Sequence, residues 1–160
     1  MRSVADFYQD CMAVAHALPP LDVQLADAVS CVLAEDVQAP FNLPVADLSA
    51  CDGYAVRIRD CEGATLESPV TLPVTEEIRA GAVDPAALVP GTAIRIASGA
   101  PMPSGAEAVV SLEFTDHGIA QVALRTAPAN GENIRRRAED VAQGDTVLRS
   151  GTRIGARQMA

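Results

Sequence analysis

The chain contains three segments in which a flexible backbone carries a polar side chain that can face a ligand. The first is the Asp-Gly loop, residues 48–55, where Asp52 precedes Gly53. An Asp-Gly step favours a tight turn with the glycine at positive φ, so we expect Gly53 to adopt a left-handed conformation. Asp52 then has two interpretations, as a turn-forming residue or as a carboxylate presented to a ligand.

The second segment is the serine loop, residues 94–106, in which a predicted strand ends in small residues and two prolines. This pattern predicts a rigid corner at Ser98 with free backbone amides beside it. Such a corner either binds an anion or serves only to turn the chain.

The third segment is the arginine loop, residues 131–141, which carries Arg135, Arg136 and Arg137 in succession. Three consecutive side chains cannot all lie on one face of a strand, so at least one arginine must point differently from the others. Arginine is suited to binding phosphate and carboxylate, and the neighbouring Asp140 is able to hold a hard cation such as Mg²⁺. The alternative is a solvated run of ion pairs between these arginines and the acids Glu139 and Asp140.

The elements that position these loops begin with an amphipathic helix near the N-terminus. Ser3 is a suitable cap, Asp6 is the acidic partner of a capping box, and Pro19 ends the helical pattern. Apolar residues recur at helical spacing and predict one apolar face, packed on the rest of the fold or on a second subunit. The members of this face are Val4, Phe7, Tyr8, Cys11, Ala15 and Leu18. Residues 32–37 are interpreted as a strand.

The middle of the chain consists of short apolar runs separated by turns, which is typical of a β-rich region. The candidate strands are residues 54–56, 70–72, 93–96, 108–112 and 120–124. Because helix and strand patterns flank this region at both ends, we predict an α+β, β-rich fold. Its predicted parts are a discontinuous arm, residues 1–44 with 141–160, and a β-rich subdomain, residues 45–140.

The composition excludes several classes of protein. Of 160 residues, 21 are acidic and 12 are basic, which gives a net charge of −9 and no general attraction for nucleic acids or anionic membranes. No apolar stretch approaches the roughly 18 residues of a membrane span. The four cysteines lack the spacing of metal ligands, so we expect free thiols and a reduced, cytoplasmic protein.

In order and spacing, the three loops resemble the N-terminal part of the MoeA/gephyrin family, the molybdopterin molybdenumtransferases. The likeness extends over nearly all of the chain and is carried by residues 43–57, 95–110 and 131–141. Leu48 stands where the family usually has an amide side chain, which removes a hydrogen bond from the loop. Ser98 replaces the usual Thr and keeps the hydroxyl. Ala138 replaces a usual Gly, and its Cβ disfavours a positive φ at that position.

The resemblance implies a function and a set of site residues. Family members act on molybdate and adenylylated molybdopterin, insert the metal into the dithiolene and release AMP, with a divalent cation assisting. Residue by residue, it implies catalytic and Mg²⁺-binding roles for Asp52 and Asp140, and substrate-binding roles for Ser98 and Arg135. It also implies a homodimer in which the acidic loops face the pterin-binding domain of the partner subunit.

The resemblance concerns only part of a family member. In full-length members a pterin-binding α/β domain and a C-terminal β-barrel follow, and neither is present in this sequence. We therefore expect an excised N-terminal part rather than a natural short relative, and expect the isolated chain to be inactive. The alternative function is a non-catalytic dimerisation or adaptor module derived from the same family. A generic carbohydrate- or peptide-binding β-domain has little support, because its usual aromatic platform is missing.

Overall fold

The structure, a computed structural model, describes residues 2–16 and 18–159 and divides the chain into two compact units. One unit comprises Met1–Val37 with Thr146–Ala160, and the other comprises Gln38–Asp145. The boundaries predicted from the sequence, after residue 44 and after residue 140, fall inside the second unit.

The unit Gln38–Asp145 is built on a five-stranded sheet. Its strands are β3 (Gly53–Val56), β4 (Val70–Ile78), β5 (Ala93–Ile96), β6 (Ala108–Ser111) and β7 (Gln121–Leu124). They lie in the order β6-β3-β5-β4-β7, with β4 and β5 parallel and the other neighbouring pairs antiparallel. All five candidate strands of the middle region therefore belong to this sheet, and β4 extends beyond its predicted end. The predicted α+β, β-rich fold class is confirmed.

Both faces of the sheet are buried, since successive side chains of a strand point to opposite sides. One face carries an apolar cluster that includes Tyr54 and Val110, and the other carries a cluster that includes Ile94 and Val109. All four side chains are at most 1% exposed. Burying an aliphatic side chain of this kind contributes about 1.5–3 kcal/mol. The sheet is thus the rigid element from which the three loops extend.

The remaining regular elements are short. Strand β2 (Leu48–Ser49) pairs with β8 (Ile134–Arg135) in an antiparallel arrangement. The others are β1 (Val37–Gln38), β9 (Thr146–Leu148) and α2 (Ala156–Met159). Single 3₁₀ turns occur at Leu25–Asp27, Ile58–Cys61 and Leu112–Phe114.

In the unit Met1–Val37 with Thr146–Ala160, the main element is the helix α1 (Val4–Val14). Ser3 caps it in the predicted capping box: the Asp6 N–H donates to the Ser3 hydroxyl at 3.1 Å, and the Ser3 N–H donates to the Asp6 carboxylate at 3.2 Å. The helix ends before the predicted stop at Pro19. No residue of α1 is buried, so its apolar face is not covered in this single chain. Packing on a second subunit, the other predicted alternative, stays a prediction.

The strand predicted over residues 32–37 is also absent as a continuous element. Val32 forms an isolated bridge with Arg153, and β1 begins only at Val37. Between Val32 and Val37, hydrogen bonds that involve side chains replace the backbone pairing of a strand. The Ser150 N–H donates to the Asp36 carboxylate at 2.7 Å, and the Ser150 hydroxyl donates to the Ala34 carbonyl at 2.9 Å. Such local side-chain bonds compete with strand pairing. Within the described residues, no helix has the length and apolar character that crossing a membrane requires.

Candidate functional site

The two-residue strand β2 joins the three loops that the sequence singles out. On one side Leu48 and Ser49 pair with Arg135 and Ile134 of the arginine loop. On the other side the Ser49 N–H donates to the Ala100 carbonyl, and the Ser49 carbonyl accepts the N–H of the serine loop at Gly99, each at 2.9 Å. The three segments, far apart in sequence, therefore meet around one short strand.

Within this arrangement Asp52 and Ser98 are in direct contact. The Ser98 N–H donates to the Asp52 Oδ1 atom at 2.8 Å, and the Ser98 hydroxyl lies 3.4 Å from the Ala50 carbonyl. Both residues are exposed. Asp52 therefore holds the serine corner in place through one carboxylate oxygen, while its other oxygen, Oδ2, has no recorded protein partner among the described residues.

The glycine that follows Asp52 has a different role from the one predicted. Gly53 is the first residue of β3 and does not have a positive φ, so the expected left-handed turn is wrong. A Cβ atom at Gly53 would lie 2.2 Å from the carbonyl oxygen of Val110 on the neighbouring strand. Glycine is required here because the backbones of β3 and β6 approach closely. This close approach fixes the position of the first residue of β3, which follows Asp52 in the chain.

The serine loop does not present free amides. The N–H groups of Ala97, Gly99 and Ala100 donate to the carbonyls of Ile78, Ser49 and Ala97, and the Ser98 N–H donates to Asp52. The prediction of free amides beside Ser98 is therefore wrong, and of the two interpretations of this corner the amides favour the one in which it turns the chain. In this loop the side chains able to contact a ligand are that of Arg95 and the hydroxyl of Ser98, which donates to the Ala50 carbonyl over a long 3.4 Å.

The arginine loop separates its three side chains, as predicted. Arg135 forms an ion pair with Asp140, with 2.5 Å between Nη2 and Oδ2. Arg136 instead pairs with Asp47, with 2.7 Å between Nη1 and Oδ2, and the Arg137 N–H donates to the other oxygen of Asp47 at 2.8 Å. Both Arg135 and Asp140 remain exposed. The structure thus groups the four predicted site residues as two pairs, Asp52 with Ser98 and Arg135 with Asp140, and no direct hydrogen bond between the pairs occurs in the described part of the chain.

Asp47 is the residue that sequence reasoning missed. Its carboxylate binds two positions of the arginine loop, and the hydrogen bond from the Arg137 backbone holds the pKa of Asp47 below its usual value. A signal was present in the sequence: Asp140 can pair with only one or two of three consecutive arginines, so a further acid is needed.

Ala138, in the arginine loop, has an unusual backbone conformation. Ala138 has φ +63° although it carries a Cβ, so the left-handed conformation is present here despite the cost that the side chain adds. The Ala138 N–H donates to the Pro44 carbonyl at 3.0 Å, and the Asp140 N–H donates to the Leu43 carbonyl at 2.9 Å. These bonds hold the turn that places Asp140.

A cleft of about 220 Å³ opens beside Asp52. Its lining residues are Asp52, Gly53, Glu77, Arg95, Ile96, Ala97 and Leu112. The neighbouring thiol of Cys51 is half-buried, and burial raises its pKa. Since the thiolate is the nucleophilic form of cysteine, Cys51 is poorly suited to covalent catalysis. The ionisable groups that line the cleft are the carboxylates of Asp52 and Glu77 and the guanidinium of Arg95, and Glu77 is paired with Arg79.

A divalent cation can be tested against the carboxylates that the structure presents. Among the described residues, no three His, Cys, Asp or Glu side chains come together as a complete metal site. Magnesium is commonly held by one or two carboxylates together with substrate phosphates, and Asp52 fits that type of site with its uncommitted oxygen. The ion pair with Arg135 offsets part of the negative charge of Asp140, so Asp52 is the better suited of the two.

Known proteins resemble this chain both in sequence and in structure. The family described as MoeA N-terminal region (domain I and II) matches residues 2–160, and the chain belongs to this family. The resemblance drawn from the three loops is therefore confirmed.

Individual relatives agree with this assignment. Molybdopterin molybdenumtransferase 2 of Mycobacterium tuberculosis (strain ATCC 25618 / H37Rv) is 50% identical over 151 residues, which are 94% of this chain and 37% of that protein. Molybdopterin molybdenumtransferase of Bacillus subtilis (strain 168) is 40% identical over 136 residues, covering 82% of this chain and 32% of that protein. The crystal structure of the molybdopterin biosynthesis moeA protein from Pyrococcus horikoshii OT3 superposes with a TM-score of 0.79 at 37% identity, covering 86% of this chain and 36% of that one. The chain spans about a third of the length of these relatives.

Proposed function

We propose that this chain is the N-terminal part of a molybdopterin molybdenumtransferase, which inserts molybdate-derived molybdenum into adenylylated molybdopterin and releases AMP in the cytoplasm. The observation that carries the proposal is the family match over residues 2–160. It is supported by the meeting of the three family loops around β2, which brings Asp52 and Ser98 into contact and pairs Arg135 with Asp140.

In this function Asp52 is the central residue of the chain. Its Oδ1 atom orders the serine loop, and its Oδ2 atom, which has no protein partner among the described residues, would hold a divalent cation or one of its waters. Magnesium bound there neutralises the charge of phosphate and oxoanion groups. Ser98 donates its hydroxyl to an oxoanion oxygen, and Arg135 holds Asp140 in place while offering its remaining N–H groups to the same substrate.

The test is molybdenum insertion by the full-length protein that contains this chain. Replacing Asp52 or Asp140 with Asn should lower the rate by about 10²-fold or more if each contributes charge stabilisation to the reaction. The matched control is Glu67→Gln, an exposed acid in the turn before β4, which should leave the rate unchanged. Thermal unfolding, measured on the same samples, should show little change for all three variants. Normal insertion by both Asp variants would refute the site assignment.

We also propose that the unit Met1–Val37 with Thr146–Ala160 supports a homodimer through α1. Large apolar side chains of this helix are exposed: Phe7 and Tyr8 are each 59% exposed, and Met12 is 53% exposed. An apolar stripe on an otherwise charged helix is typical of an interface, because burial against a partner removes it from water. Phe7→Glu should convert a dimer into monomers in sedimentation equilibrium, whereas Gln9→Glu, with an equally exposed charge, should not.

The alternative, a non-catalytic dimerisation module, retains this helix without the chemistry. A coding sequence that ends with this chain, together with a dimer and no insertion activity, would favour the alternative over the proposed enzyme.

A further inference from the structure

Arg95 occupies an unusual position for a charged residue. It lies in β5, a central strand of the five-stranded sheet, opposite Tyr54 of β3 and Glu77 of β4. Its neighbours in the same strand, Ile94 and Ile96, are each 1% exposed, whereas Arg95 itself is half-buried. Because the strands on both sides fix its backbone, the guanidinium of Arg95 is attached to the most rigid part of the fold and lines the cleft beside Asp52.

The charges around this cleft leave Arg95 without a protein partner. Glu77 forms an ion pair with Arg79, with 3.5 Å between Oε2 and Nη2. Asp52 accepts the N–H of Ser98. Among residues 2–16 and 18–159, the structure records no hydrogen bond and no ion pair for the guanidinium of Arg95, the one cationic side chain that lines the cleft. A half-buried charge without a partner is costly, so retaining it at the centre of a sheet suggests a ligand.

We propose that Arg95 is a substrate-binding residue that holds a tetrahedral oxoanion in the cleft beside Asp52. This inference rests on the proposed function, because the oxoanions of that reaction are molybdate and the phosphate of the adenylyl group. Their shared chemistry is a compact, multiply charged oxygen tetrahedron, and the planar fork of arginine binds two such oxygens at once. The cleft, at about 220 Å³, has room for the anion and some of its waters.

The position of Arg95 also explains how the anion would be oriented. Arg95 is the direct cross-strand neighbour of Tyr54, and it lines the same cleft as Asp52. An anion held by Arg95 therefore lies in the cleft beside Asp52. The ion pair with Arg79 offsets the negative charge of Glu77. The two acids that line the cleft, Asp52 and Glu77, therefore repel an anion less strongly than two unpaired carboxylates would.

The test measures binding of inorganic oxoanions to this chain by isothermal titration calorimetry. Molybdate should bind to the wild type with one site per chain, and Arg95→Gln should weaken binding about tenfold or more, the loss expected for a charge-assisted hydrogen bond. Arg59→Gln, which removes an exposed arginine outside the lining of the cleft, should bind within twofold of the wild type. Competition with AMP distinguishes the sources: displacement of molybdate by AMP assigns the site to the shared chemistry, and no displacement assigns it to molybdate.

Three results would overturn the inference: no molybdate binding by the wild type, unchanged binding by Arg95→Gln, or equal losses in the Arg95 and Arg59 variants. If Arg95→Gln does not fold, Arg95→Lys is measured in its place, because lysine keeps the positive charge but lacks the planar, two-pronged guanidinium. It must then bind at least threefold more weakly at unchanged thermal stability. Failure of insertion in the full-length protein with intact, Arg95-dependent binding would refute the proposed function and leave this inference standing.

Discussion

Replacing Ala138 with Gly should stabilise the protein, although the change removes a methyl group. Ala138 has φ +63°, a left-handed conformation that costs an alanine about 1–2 kcal/mol because its Cβ approaches the carbonyl oxygen. Glycine avoids this cost but loses about 0.5–1 kcal/mol of backbone entropy on folding. The difference predicts a gain of up to about 1.5 kcal/mol in the free energy of unfolding, which corresponds to up to about 6 °C in Tm.

The matched control is Ala142→Gly. Ala142 is half-buried like Ala138 and lies in the next turn, but its φ is not in the left-handed region. Glycine there should lower the free energy of unfolding by about 0.5–1 kcal/mol. Urea unfolding monitored by circular dichroism measures both variants against the wild type. If Ala138→Gly loses as much stability as Ala142→Gly, the left-handed alanine is not strained and the reasoning is refuted.

Three further predictions follow from single contacts. Gly53→Ala should cost about 3 kcal/mol or more in urea unfolding, because its Cβ would lie 2.2 Å from the Val110 carbonyl oxygen; a loss below about 1 kcal/mol would contradict the close approach. The pKa of Asp47 is lowered in the folded state, so its contribution is present at neutral pH and is lost as pH falls through that lowered pKa. Asp47→Asn should therefore lower Tm at pH 7 and differ less from the wild type below about pH 4, and a gap that stays constant would count against the assignment. Burial raises the pKa of Cys61 to about 11, so at pH 8 Cys61 should resist iodoacetamide in the native protein while exposed Cys11 reacts; equal rates by mass spectrometry would refute its burial.

The sheet was predictable from the sequence because its strands carry local signals. Residues 93–96 are apolar at three of four positions between turn-forming segments, and β5 has these same bounds. The helix start was predictable for the same reason, since the capping box of Ser3 and Asp6 is contained within four residues. The interruption of the strand at residues 32–37 was not, because distant residues such as Ser150 and Arg153 take its backbone partners.

Details of the candidate site depend on contacts between distant segments, which no local pattern contains. The ion pair of Asp47 with Arg136 joins residues 89 positions apart, and the bond from Ser98 to Asp52 joins residues 46 positions apart. Gly53 was singled out correctly as a glycine with a structural purpose, but the reason for it lies on the neighbouring strand β6. The catalytic and binding roles of Asp52, Ser98, Arg135 and Asp140 remain predictions that the insertion assay tests.

The stability of the fold and the geometry of the site rest on different interactions. The five-stranded sheet is held by buried side chains on both faces, whereas the three loops are held by two-residue pairings around β2 and by carboxylates at or near the surface, those of Asp47 and Asp52. Exposed polar contacts contribute little to the free energy of unfolding, often less than about 1 kcal/mol, yet they decide where a side chain points. A substitution in the loops is therefore expected to disturb the site before it disturbs the fold. Arg95 is the exception, because its backbone is part of β5 while its side chain lines the cleft. The proposed oxoanion site is therefore attached directly to the buried sheet at this residue.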